Sequence, residues 1–302
     1  MAFNVLLWGR AEYERQLPWG DLLGGVEVVT ALGEGAPLEV ADVVVVPSRQ
    51  PVLREHVPRL RRARLVLTTT SGFDHVDVKA LAEVGIPCAR LPLARRDAVV
   101  QTALGMILSL TRRLGALQEP AGRGHWDRSE LPAWNPTLLG TVGVVGHGVI
   151  GSVMARSLES LGARVLRCDP ILPDSVPIDE LVEQSDVVTL HSELTPESRN
   201  LLSVERLMAM RRGSVLVNTA RGGLVDVGAA LRSLESGHLA GLALDVFPSE
   251  PPVDLARFVG PRCIVTPHAA GWHPGLDEAI ARGIVDAVQA VRRGEAAPFT
   301  LQ

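Results

Sequence analysis

The order of elements in the sequence predicts an α/β protein built of two doubly wound parallel sheets. Three observations predict it. Apolar runs of strand length alternate with helix-length stretches from residue 4 onward, a rhythm that implies parallel strands joined by crossover helices. Polar residues collect at the carboxyl ends of these runs, where open α/β sheets hold ligands. A length of 302 residues and an apolar content of 46% allow two cores of ordinary domain size.

Taken in order, strands are expected at Asn4 to Trp8, Glu27 to Thr30, Asp42 to Pro47, Leu65 to Thr69 and Ile86 to Ala89. Helical stretches lie between them, including Pro51 to Leu60 and Val76 to Val84. A long apolar helix follows over about Ala98 to Leu114, and Glu119 to Pro136, rich in Gly, Pro and Trp, reads as loop. Thr141 to Val145 opens a second series. Its later strands lie at Arg164 to Arg167 and within Ser185 to Ser192, Gly213 to Gly222, Gly241 to Phe247 and Cys263 to Gly271. The amphipathic final helix, about Leu276 to Arg293, is expected to return to the first domain. One domain then comprises residues 1–97 and 274–302, and the other, residues 98–273, is inserted into it.

Composition excludes several roles. A net charge of −4 argues against a nucleic-acid partner or a polybasic membrane role, and Lys79 is the single lysine beside many arginines. Cys88, Cys168 and Cys263 form neither a metal-ligand pair nor an evident disulfide set, so a reducing cytoplasm is the expected setting. No cluster of His, Cys and carboxylates has metal-ligand spacing, and no metal site is expected. The opening apolar run is too short to span a membrane, and no secretory signal is read.

The stretch from Leu138 to Pro170 carries the clearest chemistry. A buried-strand pattern enters Gly146-His147-Gly148-Val149-Ile150-Gly151, a helical pattern runs to about Leu161, and Gly162 ends it. A second strand then finishes at Asp169, 18 residues past Gly151. The glycines suit a tight turn, close approach of backbone to a pyrophosphate, and close helix–strand packing. The helix N-terminus offers free N–H groups to phosphate, and Asp169 is placed to accept from ribose hydroxyls. This is a Rossmann-type dinucleotide unit. A carboxylate would repel a 2′-phosphate, and Pro170, Ile171 and Leu172 supply no arginine to receive one, so NAD is expected rather than NADP.

Four further blocks follow in order: LHSELTPESRNLL with His191 second, NTARGGLVD (Asn218 to Asp226), LALDVFPSEPP (Leu242 to Pro252) and TPHAAGW (Thr266 to Trp272). With the glycine unit they cover about Gly140 to Trp272, and together they resemble the D-isomer-specific 2-hydroxyacid dehydrogenases. The resemblance implies a flavodoxin-like substrate domain, a homodimer formed through the helix after Ala98, and D-stereochemistry. It also implies cofactor contacts at Val149, Ile150, His191, Thr195, Thr219, Ala220, Asp245 (near the nicotinamide amide) and Gly271. A looser match at Thr70 to Leu81 implies a substrate loop with Ser71, Gly72 and Phe73.

The chemistry of such a reaction picks out the same residues. Reducing a 2-oxo acid needs a cation for the carboxylate, a hydride donor and an acid for the carbonyl oxygen. Arg221, expected to be buried at its strand end, can bind a carboxylate bidentately. His268 suits the proton transfer, and Glu250 can orient its other ring nitrogen. The resemblance assigns these three as the catalytic arginine, glutamate and histidine. Bland alternatives are a surface ion pair for Arg221, a solvated loop carboxylate for Glu250, and a satisfied structural histidine for His268 or His191. His147 is assigned no chemistry; His75 and His125 read as surface or loop residues.

Departures from the family pattern bear on substrate. Where relatives carry Asn-Thr-Pro-Gly and then Val-Ala-Glu, this chain has ARLPLARRDAVVQ (Ala89 to Gln101), with Gln101 in place of the acid. Glu193 replaces the usual proline. Arg95 and Arg96 either serve a doubly anionic 2-oxo acid or are solvated arginines at a helix start. Two other functions stay open: oxidation of another small anion such as phosphite, and a non-enzymatic NAD-sensing scaffold.

Overall fold

The computed structural model describes residues 2–9, 19–126 and 139–301. The chain divides into two compact units, residues 1–95 with 273–302 and residues 96–272.

In the first unit the strands are β1 (Phe3–Trp8), β2 (Val26–Ala31), β3 (Val43–Val46), β4 (Leu65–Thr68) and β5 (Cys88–Arg90). They pair in parallel in the order β2-β1-β3-β4-β5. That is the flavodoxin-like order. The short helices α1 (Trp19–Leu22) and α2 (Val78–Glu83) belong here. Side chains alternate between the two faces of the sheet. Val43, Val45, Leu65 and Leu67 join one apolar cluster, while Val44, Val46 and Val66 join another.

In the second unit the long helix α3 (Leu93–Thr111), which begins just before the division, is followed by α4 (Leu114–Gly122). Then come β6 (Thr141–Val145), α5 (Gly151–Ser160), β7 (Arg164–Cys168), α6 (Ile178–Gln184) and β8 (Val187–Leu190). The series ends with α7 (Val204–Ala209), β9 (Ser214–Asn218), α8 (Val227–Glu235), β10 (Leu239–Leu244) and β11 (Cys263–Val265). The parallel order is β11-β10-β9-β8-β6-β7. The chain reverses direction across the sheet at β6, so the turn after β6 opens at a switch point where such sheets bind ligands. Leu residues of α6, α7 and α8 cover one face, and α3 and α5 cover the other.

The last helix, α9 (Leu276–Arg293), returns to the first unit as its sequence predicts. Ile280, Ile284, Ala287, Val288 and Val291 form one stripe against Val5, Val43 and Leu65. Asp277 and Glu278 sit in its first turn and Arg292 and Arg293 in its last, matching the helix dipole. Gly294, at φ +78°, ends it.

Three elements differ from expectation. Over the stretch read as a helix from Pro51 to Leu60, the chain forms a 3-10 helix at Arg54–Arg59. Pro58 lies inside it and cannot supply an α-helical N–H. Helix α3 starts at Leu93, earlier than its apolar pattern shows, and Arg113 at φ +49° breaks it from α4. Helix α4 also occupies the start of the expected Glu119 to Pro136 loop; residues 127–136 of that loop, like Leu138, lie outside the described residues.

Candidate active site

Every element of the site in the second unit ends at the carboxyl edge of the sheet. The turn after β6 is shaped by glycine. Gly146 has φ +88°, and a Cβ there would lie 2.5 Å from Ser192 N. A Cβ on Gly151 would collide with Gly146 O. At Gly148, by contrast, a Cβ would meet nothing within 4 Å, so the turn leaves its backbone open. Helix α5 starts here with no side-chain cap, and its buried stripe of Gly151, Met154, Ala155 and Leu158 holds it on the sheet. Val149 and Ile150 are half-buried in the turn leading into α5.

Asp169 stands at the tip of β7. Its carboxylate accepts His147 N at 2.6 Å and Ile171 N at 3.0 Å, tying the glycine turn to the neighbouring strand end. A carboxylate has about four acceptor positions, so two bonds leave it able to take hydroxyls. Asp169 N donates to Ser175 Oγ at 3.0 Å.

His191 follows β8, its N–H donating to Val145 O at 2.7 Å. Its Nε2 lies 3.0 Å from Thr189 Oγ1. Burial pushes the imidazole down to about 4, which keeps the ring neutral at ordinary pH. Two buried hydroxyls nearby in sequence to these strand ends, Ser192 Oγ and Thr219 Oγ1, have no partner among the described residues. Buried hydroxyls of that kind call for a ligand or water. Ser192 was not among the residues singled out from sequence. With the open Gly148 and the uncapped helix, they fit a dinucleotide laid over the turn. NAD would be held by the Gly146–Gly151 turn, Asp169 and the 191–192 and 219–220 strand ends.

Arg221 lies just past β9 and is half-buried rather than buried, because the turn carries it beyond the strand tip. Asn218, fully enclosed, shapes that turn. It accepts Ala220 N at 3.0 Å and donates to Arg221 O at 2.9 Å. Arg221 Nη1 in turn donates to Ala220 O at 2.8 Å. A Cβ on Gly222 would strike Phe247 and Pro248, so only glycine lets this turn lie against the segment leading to Glu250.

Glu250 and His268 meet directly: Oε2 accepts from Nδ1 at 2.8 Å. A carboxylate at Nδ1 places the proton on that nitrogen and turns Nε2 outward as the exchanging atom. The other carboxylate oxygen accepts Phe247 N at 3.1 Å, which fixes Glu250 in turn. Both side chains keep substantial exposure, 49% for His268 and 39% for Glu250. Asp245, which the resemblance puts near the nicotinamide amide, is enclosed and accepts bonds from the turn around His268. Thr195 is exposed and bonds Ser198 through its backbone N–H at 2.8 Å, while Gly271 is buried.

In the first unit, Ser71, Gly72 and Phe73 form a half-buried loop after β4. Thr70 Oγ1 donates to Gly72 O at 2.7 Å. Arg90, at the end of β5, donates to Ser71 O at 2.9 Å and lies 5.5 Å from the Phe73 ring centroid. Sequence reasoning overlooked Arg90, since nothing local links β5 to this loop. Arg95 donates to Thr69 O at 2.5 Å, and Arg96 pairs with Asp97 at 2.7 Å. His75, read as a surface or loop residue, is half-buried with Nε2 3.0 Å from Thr68 Oγ1.

Comparison with known proteins identifies the family. Residues 104–270 match the family model for the D-isomer specific 2-hydroxyacid dehydrogenase NAD binding domain. The chain is 34% identical over 280 residues to a glycerate dehydrogenase of Methylorubrum extorquens, covering 89% of this chain and 86% of that one. It is 32% identical over 289 residues to a D-3-phosphoglycerate dehydrogenase of Methanocaldococcus jannaschii, covering 91% of this chain but only 55% of that longer protein. The D-lactate dehydrogenase of Aquifex aeolicus, solved with NAD and lactic acid, superposes with a TM-score of 0.84 at 28% identity, covering 97% of this chain and 96% of that one. The chain is a member of the D-isomer-specific 2-hydroxyacid dehydrogenases, a family of NAD-dependent oxidoreductases, and carries that family's NAD-binding domain in its second unit.

Proposed function

We propose that this chain interconverts a small 2-oxo acid and the corresponding D-2-hydroxy acid with NAD(H). The observation that carries the reading is the direct Glu250–His268 pair at the carboxyl end of a sheet that also presents Arg221 and the glycine cradle. When bound, the nicotinamide supplies the hydride for reduction and accepts it for oxidation.

The protein's own residues do the rest. The Arg221 guanidinium holds the substrate carboxylate and polarises the neighbouring carbonyl. His268 delivers the proton from Nε2 to the carbonyl oxygen as hydride reaches the carbon, and takes it back in the oxidation direction. Glu250 stabilises the charged imidazole and keeps Nε2 pointed outward. The loop of Ser71, Gly72 and Phe73 serves substrate binding, and the chain pairs as a homodimer through α3.

Purified protein mixed with NADH and a panel of glyoxylate, pyruvate, hydroxypyruvate, phenylpyruvate, 2-oxoglutarate and phosphonopyruvate tests this. Loss of NADH absorbance with one or more members, giving a product of D configuration, supports the reading. Clear NADH binding without oxidation across the panel overturns it in favour of an unrelated anion or an NAD-sensing role.

A further inference from the structure

Arg90 stands at the end of β5, and its backbone is fixed on both sides. It pairs with Thr68 of β4, and its N–H donates to Phe299 O at 3.3 Å. From this base the half-buried side chain reaches the Ser71–Phe73 loop at two points. Nη1 donates to Ser71 O at 2.9 Å, and the guanidinium carbon lies 5.5 Å from the Phe73 ring centroid, within cation–π range. A planar guanidinium can serve both at once, an N–H for the carbonyl and a face for the ring.

The carbonyls of this loop are all engaged. Thr69 O accepts Arg95 Nη1 at 2.5 Å, and Thr70 O accepts Leu91 N at 3.2 Å. Gly72 O accepts Thr70 Oγ1 at 2.7 Å, and Phe73 O accepts Val76 N at 2.8 Å. With Ser71 O on Arg90, each carbonyl from residue 69 to 73 has a donor. The N–H groups of Ser71, Gly72 and Phe73, by contrast, bond to none of the described residues. Successive main-chain donors left over in this way suit an anion. At the middle of the loop the hold comes from Arg90, because Ser71 Oγ reaches Pro92 O only at 3.5 Å.

We propose that Arg90 is a positioning residue that holds the Ser71–Phe73 loop, carbonyls engaged and N–H groups ready, for an anionic substrate. The proposal rests on the reading of this loop as the substrate-binding segment. Without the guanidinium, Ser71 O loses its donor and Phe73 its cation, so the loop has to be ordered as substrate binds. That cost falls on the ground state and the transition state alike, which raises KM and leaves kcat.

The test compares wild type, Arg90→Ala and Arg90→Lys by three readouts. The first is the backbone order parameters of Ser71, Gly72 and Phe73 from 15N relaxation of the cofactor-free protein. The second is the NADH Kd by fluorescence, and the third KM and kcat for the best 2-oxo acid at saturating NADH. Arg90→Ala is expected to lower the loop order parameters from about 0.85 to below about 0.6. KM rises about tenfold or more, with kcat within about threefold and NADH Kd within about twofold of wild type. Arg90→Lys keeps the charge, but one ammonium cannot serve carbonyl and ring together, so its KM lies between the other two. Unchanged order parameters overturn the proposal, and so does a mobile loop with an unaltered KM. A fall in kcat at constant KM also overturns it, by placing Arg90 with the reacting atoms. If Arg90→Ala does not fold, Arg90→Lys decides alone: loop order and KM equal to wild type overturn the proposal. Should wild type turn over no 2-oxo acid, the substrate reading fails, and the order parameters still decide whether Arg90 holds the loop.

Discussion

At the residue scale, the proposed chemistry depends on a histidine whose two nitrogens have different surroundings. Glu250 occupies Nδ1 of His268, and in the proposed reaction Nε2 is the atom that meets substrate. His268→Ala is expected to lower kcat by about 100- to 10,000-fold while leaving the NADH Kd close to wild type. Glu250→Gln should lose the charge-assisted bond and lower kcat less severely. Stopped-flow reduction of the best 2-oxo acid, alongside NADH titrations, checks both.

His191 makes a separate prediction about stability. Burial holds its folded pKa near 4, below the ordinary 6.5. The unfolded chain therefore binds the extra proton first as pH falls. The stabilisation from a neutral His191 is complete above about pH 6.5 and is lost as pH falls toward about 4, amounting to at most about 3 kcal/mol. His191→Asn should flatten that part of the acid limb. Thermal melts of both proteins at pH 7 and pH 4.5 measure it: the gap in Tm changes with pH if His191 titrates as described and stays constant if it does not.

At the element scale, the β6–α5 turn separates two uses of glycine. Gly151 is required by packing, because a Cβ would collide with Gly146 O, whereas Gly148 has room for one. Gly151→Ala is expected to destabilise the second unit by a few kcal/mol. Gly148→Ala should leave Tm unchanged or slightly raised, yet weaken NADH binding about tenfold or more by blocking the phosphate approach. Melting curves and NADH titrations on the two variants distinguish packing from ligand approach. Equal loss of stability in both would contradict the assignment.

Elements were legible in sequence where their determinants are local. Helix α5 between Gly151 and Gly162, and α9 between Gly275 and Gly294, carry both their apolar stripe and their stop signal within the segment. Helix α3 was read too late because the charged Arg95-Arg96-Asp97 run obscures its first turn. The 3-10 helix at Arg54–Arg59 has the composition of a helix and a proline that forbids one.

At the scale of the whole molecule, the apolar residues build separate cores in each of the two units, and the cofactor determinants lie in one of them. Binding to the folded state then appears as stability. NADH at about 100 times its Kd should stabilise the unit that holds it by about 2.7 kcal/mol. NADPH at the same concentration should raise Tm far less, because Asp169 repels a 2′-phosphate, and Asp169→Ala should narrow the difference. Scanning calorimetry with each nucleotide is the check; equal shifts in wild type would show that Asp169 does not select the cofactor. No helix among the described residues is long and apolar enough to cross a membrane.

The sequence by itself determined the α/β alternation, the glycine turn with its acid, and the types of residue able to hold a carboxylate and move a proton. These are properties of spacing and side-chain chemistry within short segments. Only the tertiary structure decided how the sheet is ordered, that Arg221 is half-exposed, that Arg90 engages the Ser71–Phe73 loop, and that Asp245 accepts hydrogen bonds from the turn around His268. The physical reason is distance along the chain. Asp245 bonds residues 21 to 25 positions away on the turn after the neighbouring strand, and Arg90 reaches back 19 positions to Ser71. Such pairings arise only when parallel strands are laid side by side, and no local pattern announces which turns will then face each other.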